Sequence, residues 1–197
     1  MIRQFFQTTI LSIGLFLPIR SSAETWNIDP SHSNVGFEVE HMMISTVKGN
    51  FDSYSGTFET DRKGKLVSMS GVVHIKSVDT NDKKRDGHLQ TSDFFDAEKY
   101  PKMEFQSSKI TGSHKKGYKA KGNLTIKGIS RSVTFKISPF KGPMVDGWGN
   151  TKVGLTATTT IDRQKYGISW NNTLDAGGLV VGDEVLIVLD LQLIQQK

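Results

Sequence analysis

The chain has 197 residues, 36% of them hydrophobic and 23% charged, with 25 basic and 20 acidic side chains, 19 Gly, 5 Pro and no Cys. That balance excludes a disordered or collagen-like chain and suits one domain with a real core. The lack of Cys removes disulfides, Cys-ligated zinc, iron–sulfur clusters and a cysteine nucleophile, and a formal charge of +5 is too mild to mark a nucleic-acid binder.

Residues 1–23 read as an export signal. Arg3 gives a positive start, residues 10–19 are apolar apart from Ser12 and Gly14, and Ser21-Ser22-Ala23 supplies the small residues a signal peptidase reads. Cleavage is expected before Glu24, because the apolar run falls short of the ~20 residues that span a bilayer. The expected location is the periplasm, with full secretion as the alternative. Residues 24–197 carry no repeat and no Pro-rich linker, so they read as a single domain.

After Ala23 the dominant period is two, the pattern of strands with one buried face. Val35, Phe37 and Val39 alternate with Gly36, Glu38 and Glu40. A strand over 51–58 follows, with Gly56 as a bend or bulge. Val67, Met69, Gly71, Val73 and Ile75 form the next apolar face, then Met103 and Phe105, then Tyr118, Ala120, Gly122, Leu124 and Ile126. Val133, Phe135 and Ile137 come next, then Val153, Leu155, Ala157, Thr159 and Ile161, and finally Val185, Ile187, Leu189, Leu191 and Leu193. Helical signal is sparse. It covers the charged segment 81–90, a second helix-start pattern at 92–96, and short turns at 42–47 and 162–166. Residues 167–182 read as a long loop holding Trp170, Leu174, Leu179 and Val180, of the kind that serves as a lid.

One apolar face against one Lys/Ser/Thr-rich face means antiparallel sheet with one side in water. About eight such strands must pack as two sheets or close into a barrel. The inward set mixes large residues (Phe37, Phe105, Phe135) with small ones (Gly71, Ala120, Gly122, Ala157). Small inward residues either leave room for a ligand or serve close strand contacts, and parity alone leaves both open.

Catalytic signals are missing. The sequence holds no G-x-S-x-G, no P-loop, no G-x-G-x-x-G and no H-E-x-x-H. His32, His41 and His88 could be gathered round a metal, but nothing in their spacing demands it, and no metal is expected. His74 and His114 are expected to face solvent. Asp86 and Arg163 are expected to form a structural pair. The basic run 115–121 alternates with Tyr118 and Ala120, so it reads as the solvated face of a strand and its turn, and no nucleic-acid partner is expected.

Several motifs stand in one order along the chain: Trp26-Asn27-Ile28-Asp29-Pro30-Ser31-His32-Ser33, then Ser45-Thr46-Val47-Lys48-Gly49-Asn50-Phe51, then Arg85-Asp86-Gly87-His88-Leu89-Gln90-Thr91-Ser92-Asp93-Phe94-Phe95-Asp96 with Tyr100-Pro101. Gly122-Asn123-Leu124-Thr125-Ile126-Lys127-Gly128, Ile161-Asp162-Arg163 with Tyr166-Gly167-Ile168, and Val181-Gly182-Asp183-Glu184-Val185 follow. In this order, from Trp26 to Leu193, they resemble the YceI family of exported lipocalin-like proteins. The resemblance implies an all-β fold, an extended eight-stranded antiparallel lipocalin-like barrel with one or two short helices and a lid-like loop. It also implies a long hydrophobic cavity for a polyisoprenoid, an isoprenoid quinone or its precursor, or a fatty-acid derivative. The implied partners are that amphiphile and, transiently, a membrane or a membrane cytochrome. A homodimer is a further expectation, and no cofactor is expected beyond the bound lipid.

On that reading Phe37, Val39, Phe105, Leu124, Phe135, Leu155 and Leu189 are the inward residues expected to meet the tail. Phe94, Phe95 and Trp170 are candidates for a lid or rim, or for sealing one barrel end. His41, Asn171 and Arg163 are candidates for head-group contact. No catalytic residue is assigned. The alternatives are a structural or stress-related barrel without cargo and, less favoured, an enzyme acting on such lipids.

Overall fold

The computed structural model describes residues 24–173 and 178–197. The export signal expected over 1–23 and Leu174 lie outside the described residues. In chain order the elements are β1 (Glu24–Ile28), β2 (Asn34–His41), β3 (Ser45–Phe51), β4 (Tyr54–Thr60), β5 (Leu66–His74), β6 (Val78–Asp79), α1 (Lys83–Gln90), β7 (Lys102–Ser113), β8 (Gly117–Ile126), β9 (Ile129–Ile137), β10 (Lys141–Val145), β11 (Thr151–Asp162) and β12 (Val181–Gln195).

The strand pairings are antiparallel and run β11-β9-β8-β7-β5-β4-β1-β12, and a long β11–β12 ladder closes the ring. Both β1 and β2 pair with β12, at Leu193–Gln195 and at Val181–Asp190, so they are two halves of one interrupted stave. β3 and β4, paired with β2 and β1, make the second interrupted stave. The result is an eight-stave barrel. Closure gives every stave two neighbours and leaves only the short strands β6 and β10 paired on one side.

The break between β1 and β2 is held by Asp29. Pro30 carries no N–H and cannot continue the ladder. The Asp29 carboxylate instead accepts hydrogen bonds from the Ser31 hydroxyl (2.6 Å) and the Gln192 side chain (2.8 Å), and lies 2.9 Å from His32 Nδ1. Burial alone would raise its pKa. The bonds from Ser31, His32 and Gln192 together outweigh burial and hold the carboxyl well below the usual range. A depressed folded pKa contributes stability above the unfolded value of about 3.9 and loses it as pH falls through the folded one. Asp29→Asn, which keeps a capping oxygen, is therefore expected to flatten the fall in Tm from about pH 4 to about pH 2. Parallel melting curves of the two proteins across that window would show that Asp29 does not carry the acid sensitivity.

The barrel is filled at one end and hollow at the other. At the Trp26 end, Trp26, Phe58, Leu66, Tyr118, Val153, Leu155 and Leu193 are all buried. Trp26 Nε1 donates to Thr60 Oγ1 and the Leu66 N–H donates to the Tyr118 hydroxyl, so the polar atoms there are satisfied within the core. At the other end Phe37, Val39, Val47, Val185 and Ile187 point inward by strand parity yet are only half-buried. An inward residue that keeps accessible surface faces a cavity.

Several local expectations are corrected. Val67 is 45% exposed and Leu66 is 0% exposed, because a register shift opposite Glu59 and Thr60 reverses the alternation there. A one-residue bulge flips every side chain on one side of it. Gly56 is not the bulge, since its ladder with β5 is regular. Residues 42–47 are no helical turn: Met42 and Met43 have φ of 53° and 64°, a tight reversal into β3. Residues 92–96 form turns closed by bonds from the Phe94 and Asp96 N–H groups to the Thr91 carbonyl, not a helix. Gly122 creates no room either. A Cβ there would sit 2.3 Å from the Gln106 carbonyl and 2.6 Å from the Phe105 ring, so it serves close strand approach. The short exposed strand β10 was not signalled by the period-two pattern. The helix over 83–90, capped by Asp82, and the turn 163–166, capped by Asp162, agree with expectation.

Candidate functional site

The hollow end encloses a cavity of about 540 Å³. Strands β2, β5, β7, β8, β9 and β12 supply its apolar wall, including Phe37, Val39, Met69, Phe105, Leu124, Phe135, Ile187 and Leu189. The rings of Phe105 and Phe135 meet edge-on at 5.0 Å. Gly71 also lines the cavity, and a Cβ there would meet only the Ser55 carbonyl, at 3.5 Å.

Three segments outside the staves cover the mouth: α1, the turns at 92–96, and the loop after residue 166. They meet in an aromatic cluster. Trp170 lies 5.0 Å from the His88 ring and 5.3 Å from Phe94, and His88 lies 5.0 Å from Phe94. Phe95 packs edge-on against Phe51 at 6.1 Å. His88 is held from its other side by Asp93, at 2.9 Å.

The loop after residue 166 is pinned by Arg163, which is 4% exposed. Its Nε donates to the Gly182 carbonyl, Nη1 to the carbonyls of Ile168 and Trp170, and Nη2 to the Val181 carbonyl and the Asp183 carboxylate. A guanidinium has five N–H donors, so all are spent inside the protein. Arg163 lines the cavity, but its hydrogen bonds are those of a clasp, not of a free head-group contact. The expected Asp86–Arg163 pair does not form: Asp86 accepts from Thr80, and Arg163 pairs with Asp183. Asn171 is likewise committed, its amide donating to the Val181 carbonyl and accepting from the Val181 N–H.

Of the residues singled out in the sequence, Phe37, Val39, His41, Phe94, Phe95, Phe105, Leu124, Phe135, Arg163, Trp170 and Leu189 line this cavity. Leu155 and Asn171 do not. Leu155 is buried and lies outside the lining, although its ladder partner Leu191 belongs to it. His32 sits on Asp29 away from the cavity, while His41 and His88 line it, and among the described residues no group of three or more potential ligands converges on a metal site. His74 and His114 are both exposed as expected, and the His114 ring lies tilted against Phe140 at 4.7 Å. Sequence reasoning passed over Arg85 and Lys84, which also line the mouth. Arg85 was signalled by its place at the head of the longest motif, whereas Lys84 had only its position on a short helix with no apolar face.

Comparison with known proteins gives one consistent result. The YceI-like domain model matches residues 26–193. A UPF0312 protein of Staphylococcus aureus (strain bovine RF122 / ET3-1) is 33% identical over 162 residues, covering 81% of this chain and 91% of that protein. Among solved structures, BcnA of Burkholderia cenocepacia superposes with a TM-score of 0.72 at 25% identity, covering 84% of this chain and 98% of that one. The Campylobacter jejuni YceI protein superposes with a TM-score of 0.68 at 29% identity, covering 86% and 97%. A polyisoprenoid-binding domain from Saccharophagus degradans shares the fold, with a TM-score of 0.59 at 13% identity over 87% and 98%. With the closed eight-stave barrel and a family match over nearly all of residues 24–197, the chain belongs to the YceI-like domain family.

Proposed function

We propose that this chain carries or stores a long-chain amphiphile, a polyisoprenoid, an isoprenoid quinone or precursor, or a fatty-acid derivative, with the tail in the hollow end of the barrel. The observation that carries this reading is the cavity of about 540 Å³ walled by apolar side chains. Its size falls inside the range of roughly 300–1,000 Å³ typical of small-molecule sites. Each buried methylene is worth about 0.8 kcal/mol, so a sixteen-carbon tail gains roughly 12 kcal/mol before the costs of association. Micromolar to nanomolar binding with weak chain-length preference follows. The polyisoprenoid-binding domain of the same fold supports the cargo class, and the sequence of residues 1–23, which reads as an export signal, supports action in the periplasm. Native mass spectrometry of the chain purified from its own envelope tests the reading. A stoichiometric adduct that resolves into an isoprenoid or acyl chain is expected. A bare mass, with no uptake of added quinone or fatty amide, would sink it.

The route of exchange follows from the rim. Met43 and Ile44 are 62% and 84% exposed, next to exposed Leu179, and the Met42 N–H donates to the Val180 carbonyl at the cavity mouth. Exposed Lys83 and Lys84 stand on the helix that covers the same mouth. An apolar tip beside cations suits shallow contact with an anionic bilayer. Replacing Met43 and Ile44 together by Ser is expected to slow transfer of a fluorescent fatty acid from anionic vesicles about thirtyfold, since two apolar side chains each contribute roughly 1 kcal/mol. Affinity for the free fatty acid should stay the same. An unchanged transfer rate would show that exchange does not use this tip.

A further inference from the structure

We propose that Arg85 is the head-group anchor of the cavity and selects a cargo whose head is an oxyanion, a carboxylate or a phosphate. This rests on the carrier reading and adds the chemistry of the polar end. Arg85 lines the mouth of the cavity. Its orientation is set from behind by Thr80, which is buried. The Thr80 N–H and hydroxyl both donate to Asp86 Oδ1, at 2.9 and 2.6 Å. The single hydroxyl proton being used there, the Thr80 oxygen can only accept, and it accepts from Arg85 Nε at 2.7 Å. The Thr80 carbonyl accepts from Arg85 Nη2 at 2.6 Å. One turn of helix thus places a guanidinium at the mouth and holds it along one edge.

The contrast with Arg163 carries the argument. Arg163 spends all five donors on protein acceptors, whereas Arg85 spends two. Both Nη1 hydrogens and the second Nη2 hydrogen of Arg85 have no acceptor among the described residues. A planar fork with unspent donors at the entrance of an apolar cavity matches the paired oxygens of a carboxylate or phosphate. The nearby acids do not fill that role. Asp86 is engaged through Thr80, and the Asp82 carboxylate accepts the N–H groups of Lys84 and Arg85 at the helix start. Glu40 and Asp82 line the same cavity, but Glu40 is an exposed residue of β2 whose Cβ lies against Gly182, and it forms no ion pair with Arg85. Lys84 adds a second positive charge on the same lining.

The test uses the mature chain stripped of lipid and titrated calorimetrically at pH 8 with ligands of matched tail: dodecanoate, dodecyl phosphate and dodecanol, each repeated with sixteen carbons. The native chain is expected to bind at least one oxyanion more tightly than the alcohol, and the two oxyanions then distinguish a fatty acid from a lipid phosphate. Arg85→Gln is expected to weaken that oxyanion about 10- to 100-fold, while the alcohol changes by less than about twofold. Arg85→Lys keeps the charge and should recover part of the loss. Thr80→Val, which frees the guanidinium edge, should weaken the same oxyanion by a smaller factor. Equal loss for all heads, or no loss for the oxyanions, would overturn the anchor. If the native chain binds alcohol and oxyanions alike, the head-group selection fails and the carrier reading stands. If it binds none of the ligands, both fall.

Discussion

Gly71→Phe is expected to abolish cargo uptake without unfolding the barrel. A Cβ at position 71 meets only the Ser55 carbonyl, at an ordinary 3.5 Å, and strand parity aims the new ring into the cavity. A phenyl ring there displaces about five tail methylenes, each worth about 0.8 kcal/mol, for a loss of roughly 4 kcal/mol or about a thousandfold in Kd. Stability should hold or rise slightly, because Gly is entropically costly inside a strand. Lipid titration and a thermal melt on the same preparation check both halves. Unchanged affinity at unchanged Tm would show that the tail does not occupy this cavity. Ala157, attractive from the sequence as a site for the same experiment, is unsuitable. It is fully buried between Ile137 and Leu189 and does not line the cavity, so enlarging it would test packing alone.

Arg163→Leu is expected to lower stability by about 3 kcal/mol and to loosen the cover over the mouth. The substitution strands four carbonyls, from Ile168, Trp170, Val181 and Gly182, and leaves Asp183 without its cation. Removing one partner of a buried pair costs roughly 3–5 kcal/mol, and the low end applies because Asp183 is partly exposed. Arg163→Lys should recover little of the loss, since an ammonium has three donors and no planar fork. Chemical denaturation gives the stability, and hydrogen exchange over 168–173 and 178–182 gives the loosening. A loss below about 0.5 kcal/mol, with exchange unchanged, would mean that the loop is held by Asn171 and the aromatic cluster instead.

The antiparallel staves were legible because they alternate cleanly, and their closure into a barrel was legible only through the resemblance of the ordered motifs. In β8 the residues from Tyr118 to Ile126 keep strict parity, and in β11 those from Val153 to Ile161 do the same. Parity fails where a bulge intervenes. Val67 carries the apolar signal of an inward residue, yet Leu66 takes its place, and no local preference marks the shift. The exposed β10 was invisible for a related reason: without a buried face it has no alternation to read.

The candidate site divides along the same line. Eleven of the thirteen residues drawn from the sequence line one cavity, because inward parity and proximity to the lid are both local properties. What parity does not encode is height along the barrel axis. Leu155 and Leu189 share the inward face of a common ladder, but Leu155 lies in the filled end and Leu189 in the hollow end. Only the tertiary structure decides which inward side chains find partners and which leave space, because filling depends on what arrives from the opposite wall. The same holds for the two arginines. Their identities are written in the chain, but whether a guanidinium is free depends on where distant carbonyls fall, and the fold brings five acceptors to Arg163 and leaves Arg85 with two from Thr80. The sequence by itself determined the antiparallel strands and their apolar face, through a period of two, and the order of its motifs, through their resemblance to the YceI family, chose the barrel over two packed sheets. The tertiary structure decided which inward side chains face the cavity, the clasp that covers it and which of the two arginines keeps unspent donors, because each is set by contacts between residues far apart in the chain.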